Sequence, residues 1–171
     1  GLSVVKDGVF GNDVKLLSDS AVLSFGANSE ITLTHSHDAG LNLKHTATAD
    51  DKPIILTLQT GETDIQLNDK LGVINFQAPD EGTGTDAILV AAGIEAISEG
   101  DFSSSNNATK LSFKTAASEA ASEKMSLSSG GNLTVSGRVL VDDTTEATST
   151  TDGSLQTDGG LSVAKSVVIG D

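Results

Sequence analysis

Apolar and polar residues alternate with a period of two along most of this chain. Successive side chains of a β-strand point to opposite faces of a sheet, so this period is typical of strands with one buried face. Turn-forming clusters of Gly, Asn, Asp and Ser separate the alternating runs, as in antiparallel meanders. The runs lie at residues 21–25, 31–35, 41–45, 54–58, 65–67, 73–76, 111–113 and 125–127. The pattern predicts an all-β chain.

Two segments are ambiguous between helix and strand. Residues 85–99 are rich in alanine, but Gly93 and the order Ala92-Gly-Ile-Glu-Ala96 suit a strand, which we favour. Residues 116–124, Ala-Ala-Ser-Glu-Ala-Ala-Ser-Glu-Lys, are the better helix candidate, although they suffice for little more than a single turn.

Few bulky residues are available to fill a hydrophobic core. The 171 residues include five Phe, no Trp and no Tyr, and the absence of Cys excludes disulfides and thiolate metal sites. Several copies around an axis would remove small apolar faces from water without a large core in any one chain. We expect the alternate apolar positions to face a shared or local core; they are Val22, Ile31, Leu33, Leu43, Ile74, Phe76, Ile94, Leu111, Phe113, Met125, Leu127, Leu133 and Val135.

The chain is strongly acidic, with a formal net charge of -14. Nucleic acids and anionic membranes are bound by clustered Lys and Arg, whereas Arg138 is the only arginine here and the lysines are scattered. No run approaches the roughly 18 apolar residues of a membrane span. We therefore expect neither a nucleic-acid partner nor membrane insertion.

The start of the sequence returns at its end. Residues 1–12 and 160–171 are identical at seven of their twelve aligned positions, and residues 131–143 are a weaker copy. This tandem repetition predicts one period followed by the start of another, and Gly1 opens in mid-pattern, as in a fragment of a longer protein. The predicted parts are an N-terminal β-repeat shaft segment at 1–70, a β-module at 71–143, a Thr/Ser/Asp connector at 144–158 and the next repeat from 159 to 171.

An ordered series of short motifs runs from Leu71 to Val135. It reads Gly72-x-Ile74-x-Phe76, Ala92-x-Ile94-x-Ala96, Leu111-x-Phe113-x-Thr115, Ser118-Glu-Ala-Ala-x-Glu-Lys-Met125 and Gly131-Asn-Leu133-x-Val135. The series resembles the module that precedes an endosialidase-type intramolecular chaperone in phage tail fibres and tailspikes. Residues 16–25, 33–41 and 150–161 are similar to repeats in fibre proteins of marine, cyanophage-like viruses, so the resemblance covers most of the chain.

The resemblance implies an elongated, fibrous, parallel homotrimer of intertwined β-layers. It also implies an extracellular place on the virion, contacts with other tail components, and host-receptor attachment through regions outside this chain. The cleaving chaperone of that family, with its Ser–Lys chemistry, is not visible in this sequence. No autoproteolysis is therefore carried over to any serine here.

A pair of histidines is the candidate metal site. Residues i and i+2 of a strand share a face, so His35 and His37 would point the same way. Three parallel chains would then present six imidazoles, an octahedral set for Fe or another divalent transition metal, as in some phage fibres. The alternative is two solvent-exposed histidines at the edge of a turn, because Asp-Ala-Gly follows.

No catalytic residues can be assigned. No pair of carboxylates stands out for glycoside hydrolysis, and no Gly-x-Ser-x-Gly elbow is present. The acidic residues 80–86 lack the spacing of known calcium loops, which favours a surface loop. We expect a structural and adhesive part and not an enzyme; the alternatives are a bacterial or environmental extracellular adhesin or filament repeat, and a glycan-degrading tailspike.

Overall fold

The computed structural model of the chain describes residues 8, 11–79, 84–149 and 152–167. Within these ranges eight β-strands and one short 3-10 helix at Asp86–Ile88 are formed, and there is no α-helix. The strands make two antiparallel sheets, so the prediction of an all-β chain is confirmed. The chain divides into two compact units, Gly1–Thr57 and Leu58–Asp171.

The first unit contains a three-stranded meander. Its strands are β1 (Val22–Phe25), β2 (Ile31–Ser36) and β3 (Gly40–His45), in the order β1-β2-β3. The β1–β2 turn is closed by a hydrogen bond from Ser29 N to Gly26 O of 3.1 Å, and Gly26 has a φ of +89° that favours glycine. The Gly, Asn and Ser clusters of the sequence thus mark the turns of this sheet.

The second unit contains a five-stranded meander in sequence order. A ladder of apolar partners runs across it, with Ile74 paired to Ile94, Ile94 to Phe113, Phe113 to Met125 and Met125 to Val135. The strands are β4 (Lys70–Gln77), β5 (Val90–Ser98), β6 (Thr109–Thr115), β7 (Ser122–Leu127) and β8 (Leu133–Val135). The strand that we favoured within 85–99 is therefore confirmed.

Three segments differ from the sequence predictions. Residues 54–58 form no strand, and residues 65–67 lead into a turn in which Asp69 N donates to Gln66 O at 3.2 Å. The helix at 116–124 is wrong, because Ala116 N and Ala121 N donate to carbonyls of β5 at 2.9 Å and β7 begins at Ser122. Bonds to a neighbouring strand replace the local bonds that a helix requires.

The predicted inward position of Val22 is also wrong. Val22 is paired with Thr34, and the next pair is Leu23 with Leu33, so Val22 lies on the face opposite to Leu33. Leu23 takes the place that the sequence interpretation gave to Val22.

Burial within these sheets is the reverse of that in an ordinary domain. Among the described residues, Ala121, 8% exposed, is the one buried hydrophobic residue, whereas Glu95, Ser98 and Ser112 are buried polar residues. The large apolar side chains of the strands are half-buried or exposed. The described part of a single chain therefore has no hydrophobic core.

Candidate interaction faces and the histidine pair

One face of the five-stranded sheet is apolar. Cross-strand partners share a face, and alternate residues along each strand return to it. We call this set the five-stranded apolar face: Gly72, Ile74, Phe76, Ala92, Ile94, Ala96, Leu111, Phe113, Thr115, Met125, Leu127, Leu133 and Val135. None of its members is charged.

This face is open to solvent at its two sides. Phe76 on β4 is 56% exposed and Leu133 on β8 is 64% exposed, and Ile74, Leu111, Leu127 and Val135 are exposed as well. Ile94, Phe113 and Met125 in the middle are half-buried, since their neighbours across the sheet shield them. Nothing in the described residues covers the face as a whole.

One side chain from outside the strands lies on the five-stranded apolar face. Leu58 packs over Gly72 and helps to line a shallow hollow of about 290 Å³ together with Ile74, Ile94 and Leu111. A Cβ added to Gly72 would lie 3.1 Å from the Cβ of Leu58, which is tighter than an ordinary contact. Because Gly72 has no side chain, Leu58 can pack against its backbone.

The opposite face of the same sheet is charged. Glu95 is 4% exposed, and its Oε1 accepts hydrogen bonds from Lys70 Nζ and Lys114 Nζ, each at 2.9 Å. A second ion pair joins Lys110 Nζ to Glu123 Oε2 at 2.8 Å. We call these five residues the charged face. Their registers place all of them opposite the apolar set.

The two lysines decide the protonation of Glu95. Burial alone would raise the pKa of this carboxyl, but the hydrogen bonds from Lys114 and Lys70, with the charges of both lysines, hold the pKa below its ordinary value. The hydrogen bond from Lys110 likewise lowers the pKa of Glu123. Both carboxylates are therefore ionised at neutral pH.

The three-stranded sheet has a similar apolar face. Cross-strand pairing places Leu23, Phe25, Ile31, Leu33, His35, Leu41, Leu43 and His45 together. Leu23, Phe25, Leu41 and Leu43 are exposed. The other face carries Ser24, Thr32, Thr34, Asn42 and Lys44 with Val22. Each sheet thus presents one apolar and one polar face.

The two predicted metal ligands lie in different local structures. His35 is on β2 opposite Leu41, within an apolar hollow of about 330 Å³ that Leu16, Leu23 and Leu33 also line. His37 follows the end of β2 in the turn, with its Nδ1 3.6 Å from Asp19 Oδ1 and its Nε2 3.3 Å from Asp38 Oδ2.

The strand ends at Ser36, so the shared face expected for residues i and i+2 does not extend to His37. Within the described parts of one chain, no three His, Asp or Glu side chains are grouped to hold a metal ion. A site formed by several copies, with Fe or another divalent metal at His35 and His37, stays a prediction.

Several residues of these faces escaped the sequence interpretation. His45 shares the face of His35, and its Nδ1 accepts from Ala47 N at 3.1 Å. Glu95 and its two lysines were not singled out either. The alternation of Lys110, Ser112 and Lys114 along β6 was the available signal, because it marks a polar face beside Leu111 and Phe113.

Two sequence features fall wholly or partly outside the described residues. Most of the first repeat copy, at 1–12, and the last four residues of the second copy lie there. Residues 80–83 of the acidic loop at 80–86 also lie there. The repeat and the loop interpretations therefore stay predictions.

Comparison of the chain with models of known protein families, with curated proteins and with solved structures gave no match. No helix in the described ranges is both long and apolar enough to cross a membrane.

Proposed function

We propose that this chain is a structural shaft segment of a phage tail fibre, which supports host-receptor attachment as part of an elongated homotrimer on the outside of the virion. One observation carries the proposal: the described residues bury a single hydrophobic side chain, that of Ala121, while two sheets each leave an apolar face open. Such a chain gains most of its hydrophobic stabilisation only when other copies cover these faces.

The motifs behind the family resemblance support this assignment. Gly72, Ile74 and Phe76 on β4 lie on the five-stranded apolar face, as do Ala92, Ile94 and Ala96 on β5. Leu111 and Phe113 on β6, Met125 on β7, and Leu133 and Val135 on β8 lie there too. The alternate positions of the series that lie in strands thus form one continuous surface of the sheet.

The function is mechanical. Association of the copies covers apolar faces and sheet edges that would otherwise pair indiscriminately, and tandem repetition extends the unit into a stiff rod. The net charge of -14 keeps such rods soluble and apart from one another. Contacts with other tail components and with the host receptor belong to the parts of the fibre that join this shaft.

Antibody labelling of virus particles tests this proposal. An antibody raised against the purified chain should decorate the tail fibres of particles from the source culture in electron micrographs, at intervals along the shaft. Antibody that has first been absorbed with the purified chain is the control. Labelling of the surface of uninfected cells would contradict the proposal and favour an adhesin, and release of oligosaccharides from host polysaccharide would favour a tailspike.

A further inference from the structure

We infer that the five-stranded apolar face is the surface through which copies of this chain bind one another, with the charged face turned to solvent. The partner is a second copy that presents the same face. This inference rests on the proposed function, which requires copies to cover apolar faces but does not say which of the two sheets carries the contact.

The distribution of charge favours this surface. Two copies that each carry a net charge of -14 repel each other, and the five-stranded apolar face offers a place of contact without any charged residue. On the charged face, Glu95 already pairs with Lys70 and Lys114, and Lys110 with Glu123. Contact there would remove ion pairs from water at a cost, whereas contact at the apolar face removes only hydrocarbon.

The exposed side chains of the five-stranded apolar face supply somewhat over half of the apolar area of a standard interface. They offer more area than those of the three-stranded sheet do. The six exposed large side chains of the face are 37–64% exposed. At about 100 Å² of apolar surface for each fully buried side chain, they offer roughly 280 Å² to a partner. The apolar part of one side of a standard interface is about 450 Å². Taken separately and at the same value for each side chain, the exposed side chains of the apolar face of the three-stranded sheet offer roughly 200 Å².

The described remainder of the chain does not fill the face. Leu58 covers one end, above Gly72. The apolar run Val139, Leu140 and Val141, which follows β8, is itself exposed, as are Leu155 and Leu161 further on. Phe76 and Leu133 at the two sides of the sheet therefore remain for a second copy to cover.

Charge introduced into the face tests the inference. We expect Phe76→Asp and Leu133→Asp each to raise the concentration of half-dissociation at least about 100-fold, because symmetric contact brings like charges together in an apolar interface. The measurement is the mass in solution by sedimentation equilibrium. The matched control is Leu155→Asp, at a position that is 71% exposed and lies outside both sheets, and it should remain assembled.

The outcomes separate the inference from the proposed function. A wild-type chain that is monomeric at every concentration contradicts both. An assembled wild type whose Phe76→Asp and Leu133→Asp variants remain fully assembled overturns the inference and leaves the proposed assembly intact. Equal dissociation of Leu155→Asp would also overturn it, since added charge at any position would then suffice.

Circular dichroism shows whether the aspartate variants keep their β-structure. If either loses it, Phe76→Ser and Leu133→Ser take their place, because a hydroxyl removes the apolar contact without introducing a charge. The concentration of half-dissociation of these variants should be higher than that of the wild type by about tenfold or more. Unchanged association of the serine variants would overturn the inference.

Discussion

Glu95 is the residue at which the inverted burial of the sheet is most evident. A carboxylate that is 4% exposed is costly unless it is paired, and the two lysine hydrogen bonds to Oε1 supply that pairing. The side chain of Lys70 is 50% exposed and that of Lys114 is 21% exposed, so neither lysine is removed from water as fully as Glu95. Val73 is the cross-strand partner of Glu95, so the charged face also carries a hydrophobic side chain.

Glu95→Gln should therefore lower the free energy of unfolding by about 1–3 kcal/mol, because the amide accepts weaker hydrogen bonds and leaves two lysine charges without a counter-charge. Urea unfolding at pH 7 and a fixed protein concentration measures this change. Glu119→Gln, in the exposed segment before β7, is the matched control and should change stability by less than about 0.5 kcal/mol. Equal effects of the two substitutions would contradict the role of Glu95.

The dependence of stability on pH provides a second readout of the same pairing. The pKa of Glu95 is lowered on folding from its ordinary value of 4.5, so the stabilisation is complete above that value and is lost as the pH falls through the lower folded pKa. The wild type should lose stability on acidification below about pH 4.5, and Glu95→Gln should lose less. Parallel pH profiles of the two proteins would contradict this account.

At the scale of elements, the sequence predicts strands well where alternation and turn chemistry agree. The runs at 31–35, 41–45 and 111–113 became β2, β3 and β6. Turn residues His37 to Gly40 separate the first two strands, and Ser103 to Asn107 precede the third. The run at 54–58 alternates too, but it forms no strand and no ladder of backbone hydrogen bonds with another strand. Alternation indicates which residues of a strand share a face, but it does not indicate which other strand pairs with that strand.

The helix candidate at 116–124 did not form for a related reason. Its alanines and glutamates favour a helix locally, but a segment of nine residues gains little from propensity alone. Backbone bonds from Ala116 and Ala121 to β5 fix the connection between β6 and β7. A tertiary contact of this kind has no signature in the local sequence.

The packing of Leu58 on Gly72 gives a prediction about the edge of the five-stranded sheet. Gly72→Val should lower the free energy of unfolding by about 1–3 kcal/mol, because the new side chain meets Leu58, whose Cβ would be 3.1 Å from the added Cβ. In a Leu58→Gly background, which lacks that Cβ, the same substitution should cost clearly less. A double-mutant cycle by urea unfolding measures this coupling.

Gly137→Val is the matched control for this cycle, since a Cβ at Gly137 meets nothing within 4 Å. It should have the same small effect in both backgrounds. Additive effects of Gly72→Val and Leu58→Gly would contradict the contact between the two residues.

At the scale of the whole molecule, the sequence indicated a thin core but did not predict how completely each sheet sorts its residues. Composition showed few bulky side chains, and the structure puts most of the large apolar residues of β4 to β8 on one face and the ion pairs on the other. Val73 and Ile97 are exceptions that share the charged face. Sorting of this kind depends on the strand register, which is a property of the paired strands and not of any single run.

The prediction for the histidine pair was limited in the same way, because it depended on the strand pairing and not on the local sequence alone. The spacing of His35 and His37 is compatible with a shared face only while the strand continues, and β2 ends between them. A sequence pattern alone does not fix an element boundary to within one residue. The position of His35 beside Leu33 and Leu41, on an open apolar face, therefore became clear only from the pairing of the strands.

The mass of the wild-type chain in solution tests the central claim most directly. The claim is that this chain associates with copies of itself, because its apolar faces are open and its own core is nearly absent. Sedimentation equilibrium should give a trimer of about 52 kDa, three times the chain mass of 17.3 kDa, over a broad range of concentrations. A species of 17.3 kDa at all concentrations, with its β-structure intact, would contradict the claim.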